Sequence, residues 1–97
     1  MDLTVKELSE RFKRGEKPLV IDVRDKSERD TGSIPNTIHI PLAELPAMAL
    51  KLDPEAETIL HCQSGIRSAQ AMKYLQSKGF TNVKNLKGGI GAWNTEN

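Results

Sequence analysis

The sequence predicts an α/β domain built around a mostly parallel β-sheet, and three observations support this fold class. Short apolar segments alternate along the chain with segments of helical periodicity, which is the order that produces parallel sheets. Residues 19–21 are apolar at every position, as is typical of a strand covered on both faces. Cys62, the one cysteine, stands between a β-branched, apolar segment and a helical one. We therefore expect it at a strand-to-helix turn, where sites in parallel sheets gather.

Length and composition narrow the class of protein. With 97 residues, the chain is expected to form one domain, residues 1–97, around one hydrophobic core. A net charge of +1 argues against a nucleic-acid partner. Residues 1–4 contain no apolar run, so neither a signal peptide nor a membrane span is expected. One cysteine excludes an internal disulfide, and no other residues have zinc-ligand spacing. We therefore expect no metal, no organic cofactor and a cytoplasmic location.

The first part of the chain predicts a helix, a strand and a polar segment. Thr4 as N-cap and Glu7 at the third helical position match a capping box, so a helix is expected to follow. Gly15 ends this helix, and residues 19–21 form the first predicted strand. Residues 26–31 are polar and predict one helical turn.

A second strand and a second helix are predicted next. Residues 38–40 alternate in polarity and predict a short strand that Pro41 closes. A helix is expected from Pro41 onwards, with Pro46 either in its first turn or at a kink. The apolar stripe of this helix consists of Leu42, Leu45, Met48, Ala49 and Leu52.

The second half of the chain repeats the alternation of strand and helix. Residues 58–60 predict a strand, and residues 68–78 predict a helix that Gly79 follows as its C′ residue. Apolar positions within residues 80–86 indicate a last short strand. Residues 88–93 are expected to form a loop that leads into a final short helix.

Residues 61–68 read His-Cys-Gln-Ser-Gly-Ile-Arg-Ser, and we expect this segment to carry the chemistry. Backbone N–H groups of a tight turn containing Gly65 can converge on an anion, and the N-terminus of the next helix adds its positive dipole. A thiolate at Cys62 is stabilised there, whereas a thiol at its ordinary pKa of about 8.5 is mostly protonated at neutral pH. The alternative interpretation is a small buried core residue.

Two further strand ends bring candidates for the rim of the same site. Asp22 and Arg24 follow the first strand, while Lys87, Gly88 and Trp93 follow the last one. Structural roles compete with this interpretation, because a strand-end carboxylate often caps backbone N–H groups and a tryptophan often packs in the core.

Four polar residues are expected to be structural. Arg24 and Glu28 have the separation and the charges of an ion pair that orders the loop between them. His39 and His61 are interpreted as structural, with His61 directed away from the cysteine.

Five fragments in the same order resemble the single-domain rhodanese family, and together they cover nearly the whole chain. These fragments are residues 19–24 (Leu-Val-Ile-Asp-Val-Arg), Glu28 with residues 32–35 (Gly-Ser-Ile-Pro), residues 39–41 (His-Ile-Pro), residues 62–68, and residues 86–89 (Leu-Lys-Gly-Gly) with Ala92 and Trp93. The resemblance implies a rhodanese-like three-layer fold, in which helices flank a central, mostly parallel sheet of about five short strands.

The same resemblance implies a sulfurtransferase. Cys62 is implied as the nucleophile, which accepts a sulfane sulfur from a donor such as thiosulfate and passes it to cyanide, a thiol or a protein acceptor. The implied persulfide-binding loop consists of Gln63, Ser64, Gly65, Ile66, Arg67 and Ser68. Two roles for Arg67 stay open, since it can supply charge towards an anionic donor or fix the loop.

Two other functions stay open at this point. A phosphatase or arsenate reductase uses a similar loop, but the related loops have one residue more than the four between Cys62 and Arg67. A rhodanese-like module without catalysis would bind a partner, although the presence of Cys62 argues against it. Departures from the family pattern lie outside the cysteine loop, at Arg29, Ser33, Asn36 and Thr37.

Overall fold

A computed structural model describes residues 1–96 and contains one sheet of five parallel strands. The strands are β1 (Asp2–Leu3), β2 (Leu19–Asp22), β3 (Ile38–His39), β4 (Thr58–His61) and β5 (Val83–Leu86). Their order across the sheet is β1-β5-β4-β2-β3, and every neighbouring pair is parallel. The predicted α/β fold with a parallel sheet is confirmed.

Within residues 1–96, four α-helices connect the strands and a fifth follows β5. They are α1 (Val5–Lys13), α2 (Lys26–Arg29), α3 (Leu45–Ala49), α4 (Ile66–Ser77) and α5 (Gly89–Glu96), and a 3₁₀ turn, Leu42–Glu44, precedes α3. The capping box of Thr4 and Glu7 is present at the start of α1, and Pro46 lies in the first turn of α3. Within residues 1–96, none of these helices has the length and apolar character that crossing a membrane requires.

The sheet lies between two layers of helices, and each face carries its own hydrophobic cluster. Alternate side chains of the central strands point to opposite faces, so Val20 and Ile59 face one layer while Ile21 and Leu60 face the other. The cluster on the side of α1 and α5 contains Leu3, Val5, Leu8, Val20, Ile34, Ile59, Leu86 and Ile90. The cluster on the side of α3 and α4 contains Ile21, Val23, Ile40, Leu45, Ala49, Leu60, Cys62, Ala71, Leu75, Phe80 and Val83.

The main differences from the prediction concern β1, the helix expected from Pro41, and the starts of α4 and α5. The helix expected from Pro41 begins as the 3₁₀ turn Leu42–Glu44 and becomes α-helical only at Leu45. The strand β1 was not predicted, because two residues are too few to show an alternation in polarity. The helix α4 begins at Ile66 rather than at Ser68, and α5 begins at Gly89, inside the expected loop over residues 88–93. Both helices begin with residues of modest or low helix propensity, so local sequence does not mark their first turns.

A buried ion pair closes the carboxyl end of β2. Arg24 Nη2 lies 2.9 Å from Asp22 Oδ2, and the two side chains are 2% and 0% exposed. Asp22 Oδ1 also accepts a hydrogen bond from the Arg24 N–H at 3.0 Å, which is the capping contact predicted for this carboxylate. Arg24 Nη2 donates a further hydrogen bond to the Gly32 carbonyl at 2.7 Å. The pair thus fastens the segment after α2 to the strand end.

Two departures from the family pattern contact each other beside this ion pair. Arg29 Nη1 donates to Thr37 Oγ1 at 2.9 Å, and Arg29 Nη2 donates to the Thr37 carbonyl at 3.0 Å. Arg29 Nη1 also lies 3.3 Å from Asp22 Oδ2. Arg29 and Thr37 therefore act together, because their hydrogen bonds join the end of α2 to the segment before β3.

The predicted ion pair between Arg24 and Glu28 is wrong. Arg24 turns back onto Asp22, two residues earlier in the chain, and its side chain is buried there. Glu28 instead forms an ion pair with Arg67, which lies far away in the sequence. The spacing of Arg24 and Glu28 indicated only that they lie near each other along the chain. In the structure, Arg24 pairs with Asp22 and Glu28 pairs with Arg67.

We predict that Asp22→Asn lowers the free energy of unfolding by about 3–5 kcal/mol, because it leaves the Arg24 charge buried without a counter-charge. Burial raises the pKa of the Asp22 carboxyl, but its hydrogen bonds with Arg24 and the positive charge of Arg24 outweigh burial and lower that pKa overall. The difference from the wild type should therefore shrink as the pH falls through the lowered pKa.

Urea denaturation measures this difference, and Asp30→Asn is the matched control. Asp30 pairs with Lys26 at 3.0 Å on the exposed surface, so the control should unfold close to the wild type. Equal stabilities of the two variants would contradict the prediction.

Candidate active site

The cysteine loop, residues 62–68, joins β4 to α4 and places the Cys62 sulfur against the start of the helix. Cys62 is 1% exposed. Its Sγ accepts hydrogen bonds from the Gly65 N–H at 3.1 Å and from the Ser68 N–H at 3.4 Å. Ser68 Oγ lies 3.4 Å from the same sulfur. Gly65 is the N-cap of α4 with φ +104°, a backbone conformation that favours glycine. The positive end of α4 therefore lies beside the sulfur.

These donors change the ionisation of the thiol. Burial alone raises the pKa of the Cys62 thiol, because it disfavours the charged form. The Ser68 hydroxyl beside the sulfur and the hydrogen bonds from the N–H groups of Ser68, Gly65 and Ser64 together outweigh burial, so the pKa lies below its ordinary value. The loop can therefore hold a thiolate, which is the nucleophilic form of cysteine.

Asn85 on β5 supports the loop from the sheet. Its Nδ2 donates to the Gly65 carbonyl at 3.1 Å, and its Oδ1 lies 2.5 Å from Ser68 Oγ. The contact with a carbonyl fixes which end of the amide faces Ser68. The sequence interpretation missed Asn85. A signal was present, because Asn85 follows Val83 at the strand period and so puts a polar side chain on the core-facing side of β5.

The first residues of α5 form hydrogen bonds with the cysteine loop. The Ile90 N–H donates to the Cys62 carbonyl, and the Gly91 N–H donates to the Gln63 carbonyl, both at 3.0 Å. The approach is close at Gly89, since a Cβ there would lie 2.2 Å from the Cys62 carbonyl oxygen. Gly89 also has φ +57°. Glycine is thus required here for both its size and its backbone conformation.

Arg67 forms a bidentate ion pair with Glu28 of α2. Nη1 lies 2.7 Å from Oε1, and Nη2 lies 2.8 Å from Oε2. The hydrogen bonds from Arg67 lower the pKa of Glu28 to about 2, so the carboxylate is ionised at neutral pH. The same hydrogen bonds raise the pKa of Arg67. This geometry favours the interpretation of Arg67 as a residue that fixes the loop.

Asp22, Arg24 and His61 lie beneath the site and do not form an open rim. The first two are buried in the ion pair at the end of β2. His61 is also buried, with Nδ1 3.1 Å from the Cys62 carbonyl oxygen and Nε2 3.8 Å from Asp22 Oδ2. Burial lowers the pKa of His61 more than the neighbouring Asp22 raises it. A neutral, structural histidine fits these surroundings.

Of the remaining rim candidates, Gly88 lies next to the cysteine loop, since its backbone N is 3.5 Å from the position that a Cβ on Gly65 would take. Lys87 and Gly88 also line a groove on the side of α1 and α5 together with Thr4 and Ala92. Trp93 packs in the cluster on this side, with its ring edge-to-face against Phe12 at a centroid distance of 6.0 Å. The surface of the cysteine loop itself is formed by the exposed residues Gln63, Ser64 and Ile66.

Within residues 1–96, His, Cys, Asp and Glu side chains do not gather in a group of three or more that could hold a metal ion. The polar groups around Cys62 are backbone N–H groups, a hydroxyl and an amide. Such groups are hydrogen-bond donors for an anion and poor ligands for a metal cation.

The parallel sheet and the donor-lined cysteine loop define a rhodanese-like domain. The sequence profile of the rhodanese-like domain matches residues 4–96, and the chain belongs to that family. A protein named sulfurtransferase from Allochromatium vinosum is 36% identical over 86 residues, which are 89% of this chain and 80% of that protein. The putative sulfurtransferase YtwF of Bacillus subtilis is 36% identical over 95 residues, 98% of this chain and 91% of that protein.

A solved structure agrees with these relatives. The human single-domain sulfurtransferase TSTD1 matches with a TM-score of 0.85 and 28% identity, covering 99% of this chain and 96% of that chain. At the level of the family, the protein is a rhodanese-type sulfurtransferase.

We predict that Ser68→Ala raises the pKa of the Cys62 thiol, because it removes the hydroxyl that donates to Asn85 Oδ1 at 2.5 Å and so anchors the start of α4, whose N–H groups face the sulfur. The pH dependence of alkylation by iodoacetamide measures this pKa. Ser64→Ala is the control, since Ser64 acts through its backbone N–H, which the substitution retains. The same pKa in all three proteins would show that the hydroxyl is not a determinant.

Gly89→Ala should destabilise the fold and raise the pKa of Cys62, because the new Cβ would displace the Cys62 and Gln63 carbonyls. Gly79→Ala separates this clash from backbone strain. Gly79 has φ +92° but nothing within 4 Å of an added Cβ, so its cost should be only about 1–2 kcal/mol. Urea denaturation and thiol alkylation measure both effects. The prediction fails if Gly89→Ala keeps the wild-type thiol pKa.

Proposed function

We propose that this protein transfers sulfane sulfur through a persulfide on Cys62, with thiosulfate or a related compound as donor and cyanide or a thiol as acceptor. The observation that carries the proposal is the Cys62 sulfur, buried at a helix N-terminus and facing the Gly65 and Ser68 N–H groups. These groups favour a negatively charged sulfur, and the nucleophile is needed in that form.

The transfer takes two displacements, and each balances in atoms and charge. In the first, the Cys62 thiolate attacks the outer sulfur of thiosulfate, a new S–S bond forms, and the old S–S bond breaks with its electron pair on the departing sulfite. In the second, cyanide attacks the terminal sulfur, which leaves as thiocyanate and returns the Cys62 thiolate. A thiolate acceptor would instead leave as a persulfide. Neither step needs an outside oxidant or reductant.

The persulfide-binding role of the loop follows from the same donors. The added sulfur carries the negative charge and extends from Cys62 into the loop. Backbone N–H groups of Gln63, Ser64, Gly65, Ile66, Arg67 and Ser68 are the groups available to surround it. They are held in place before the reaction, so they stabilise the charge without reorganising.

The geometry weighs against a phosphatase. Phosphate-ester cleavage needs a general acid for the leaving group. Glu28 is held by Arg67 with a pKa of about 2, and Asp22 is buried beside Arg24. Neither carboxyl is placed or protonated to serve as that acid. The short spacing from Cys62 to Arg67 points in the same direction.

We also propose what kind of molecule accepts the sulfur from the Cys62 persulfide. A protein thiol could receive the sulfur as well as a small molecule, because the exposed Gln63, Ser64 and Ile66 form the surface around the loop. A reducing compartment such as the cytoplasm would keep the Cys62 thiol free between turnovers.

The first test is to incubate the reduced protein with thiosulfate, remove the excess and record the intact mass. We predict a gain of one sulfur atom that cyanide reverses and that Cys62→Ser lacks, with activity reduced to the background rate. Circular dichroism confirms that the variant is folded. The mechanism is excluded if the variant keeps its activity, or if the wild type gains no sulfur from thiosulfate or any thiol persulfide.

A further inference from the structure

We propose that Glu28 is a specificity-determining residue, which neutralises Arg67 and thereby biases the site towards sulfur donors of low negative charge. The inference rests on the proposed sulfur transfer and assigns the class of donor. Donors of this class are monoanionic thiosulfonates or thiol persulfides attached to an uncharged carbon group. A compact dianion such as thiosulfate is disfavoured relative to them.

Glu28 neutralises the charge of Arg67. Arg67 is the one charged side chain among residues 62–68. Its two terminal nitrogens lie 2.7 and 2.8 Å from the two oxygens of Glu28, so both of these nitrogens face the carboxylate. Glu28 has a pKa of about 2 and carries a full negative charge at neutral pH. The pair has no net charge, and Arg67 offers a donor little attraction.

Two contacts hold the Glu28 side chain in position. Its Oε1 accepts a hydrogen bond from the Asp25 N–H at 3.1 Å, as the N3 residue of the capping box of α2. The Glu28 side chain is therefore held from two directions, by Asp25 and by Arg67. A donor that drew Arg67 away would have to break a bidentate ion pair and leave the carboxylate behind.

The exposed side chains on the surface of the cysteine loop are uncharged. The groups left to bind a donor are the N–H groups around Cys62 and the exposed side chains of Gln63, Ser64 and Ile66. None of these side chains is charged, and Ile66 is 71% exposed. The N–H groups can stabilise the single charge of the transferred sulfur. The second charge of a dianion would face Glu28 and Asp25, whereas an apolar carbon group could contact Ile66.

The test compares two donors that differ in charge but transfer the same kind of sulfur. Thiosulfate carries two negative charges, and the methanethiosulfonate anion, CH₃SO₂S⁻, carries one. The rate of Cys62 persulfide formation is measured for each at low ionic strength, and the selectivity is the ratio of the two values of kcat/KM. Intrinsic differences between the leaving groups cancel when this ratio is compared across variants.

We predict that Glu28→Gln raises the ratio in favour of thiosulfate by about three- to tenfold, because it frees the Arg67 charge while keeping a side chain of the same shape. The increase should disappear at high salt. Arg67→Gln should lower the ratio below the wild-type value, since Glu28 then faces the donor alone. The double variant restores the original net charge, so its ratio should return towards that of the wild type.

Other outcomes overturn the inference. An unchanged ratio in Glu28→Gln, or an equal loss with both donors, would mean that the ion pair only orders the loop. A double variant with the ratio of Arg67→Gln would mean that Arg67 acts through loop geometry. The thiol pKa of Cys62 is measured in each variant to report any change in loop structure. If the wild type forms no persulfide with either donor, the proposed function fails first.

Discussion

A buried sulfur that is to carry negative charge needs hydrogen-bond donors on the protein side, and much of this structure supplies or holds them. The donors come from one short turn and from the first residues of α4. Burial opposes ionisation of the Cys62 thiol, and only the sum of several hydrogen bonds reverses that effect. Small displacements of the turn should therefore matter for reactivity.

Three elements remote in sequence hold this turn from different sides. Asn85 of β5 binds Gly65 and Ser68, and the first residues of α5 bind the carbonyls of Cys62 and Gln63. On the side of α2, Glu28 holds Arg67. Each contact satisfies a polar group that the tight turn leaves without a partner in regular secondary structure. The loop is thus ordered by the whole domain, although its own residues are contiguous.

Structural features that depend on residues close together in the chain were predicted correctly from the sequence. The capping box at Thr4 and Glu7, the apolar central strands, and the place of Cys62 between a strand and a helix all follow from patterns within a few residues. These features are recognisable because capping and periodicity are properties of short segments. Fold class and family followed from their order along the chain.

Most of the features that were missed depend on contacts between residues distant in the sequence. Glu28 had the right spacing for Arg24 but pairs with Arg67, while Arg24 turns back onto Asp22, two residues away. Asn85 looked like one polar residue in a short strand until its contacts with Gly65 and Ser68 were known. The strand β1 exists only because β5 pairs with it, since two residues have no pattern of their own.

The pairing of β1 with β5 joins residues 2–3 to residues 85–86. These are the first and the last strands of the sheet in chain order. The Asn85 N–H donates to the Met1 carbonyl, and the Lys87 N–H donates to the Leu3 carbonyl. Such distant pairing is slow to form, because closure of a long loop precedes the gain from contact. Asn85 lies in this late-made strand and also supports the donors around Cys62. A ribosome-bound chain that has not yet exposed β5 therefore lacks that support, and its cysteine should behave as an ordinary thiol until synthesis of the sheet is complete.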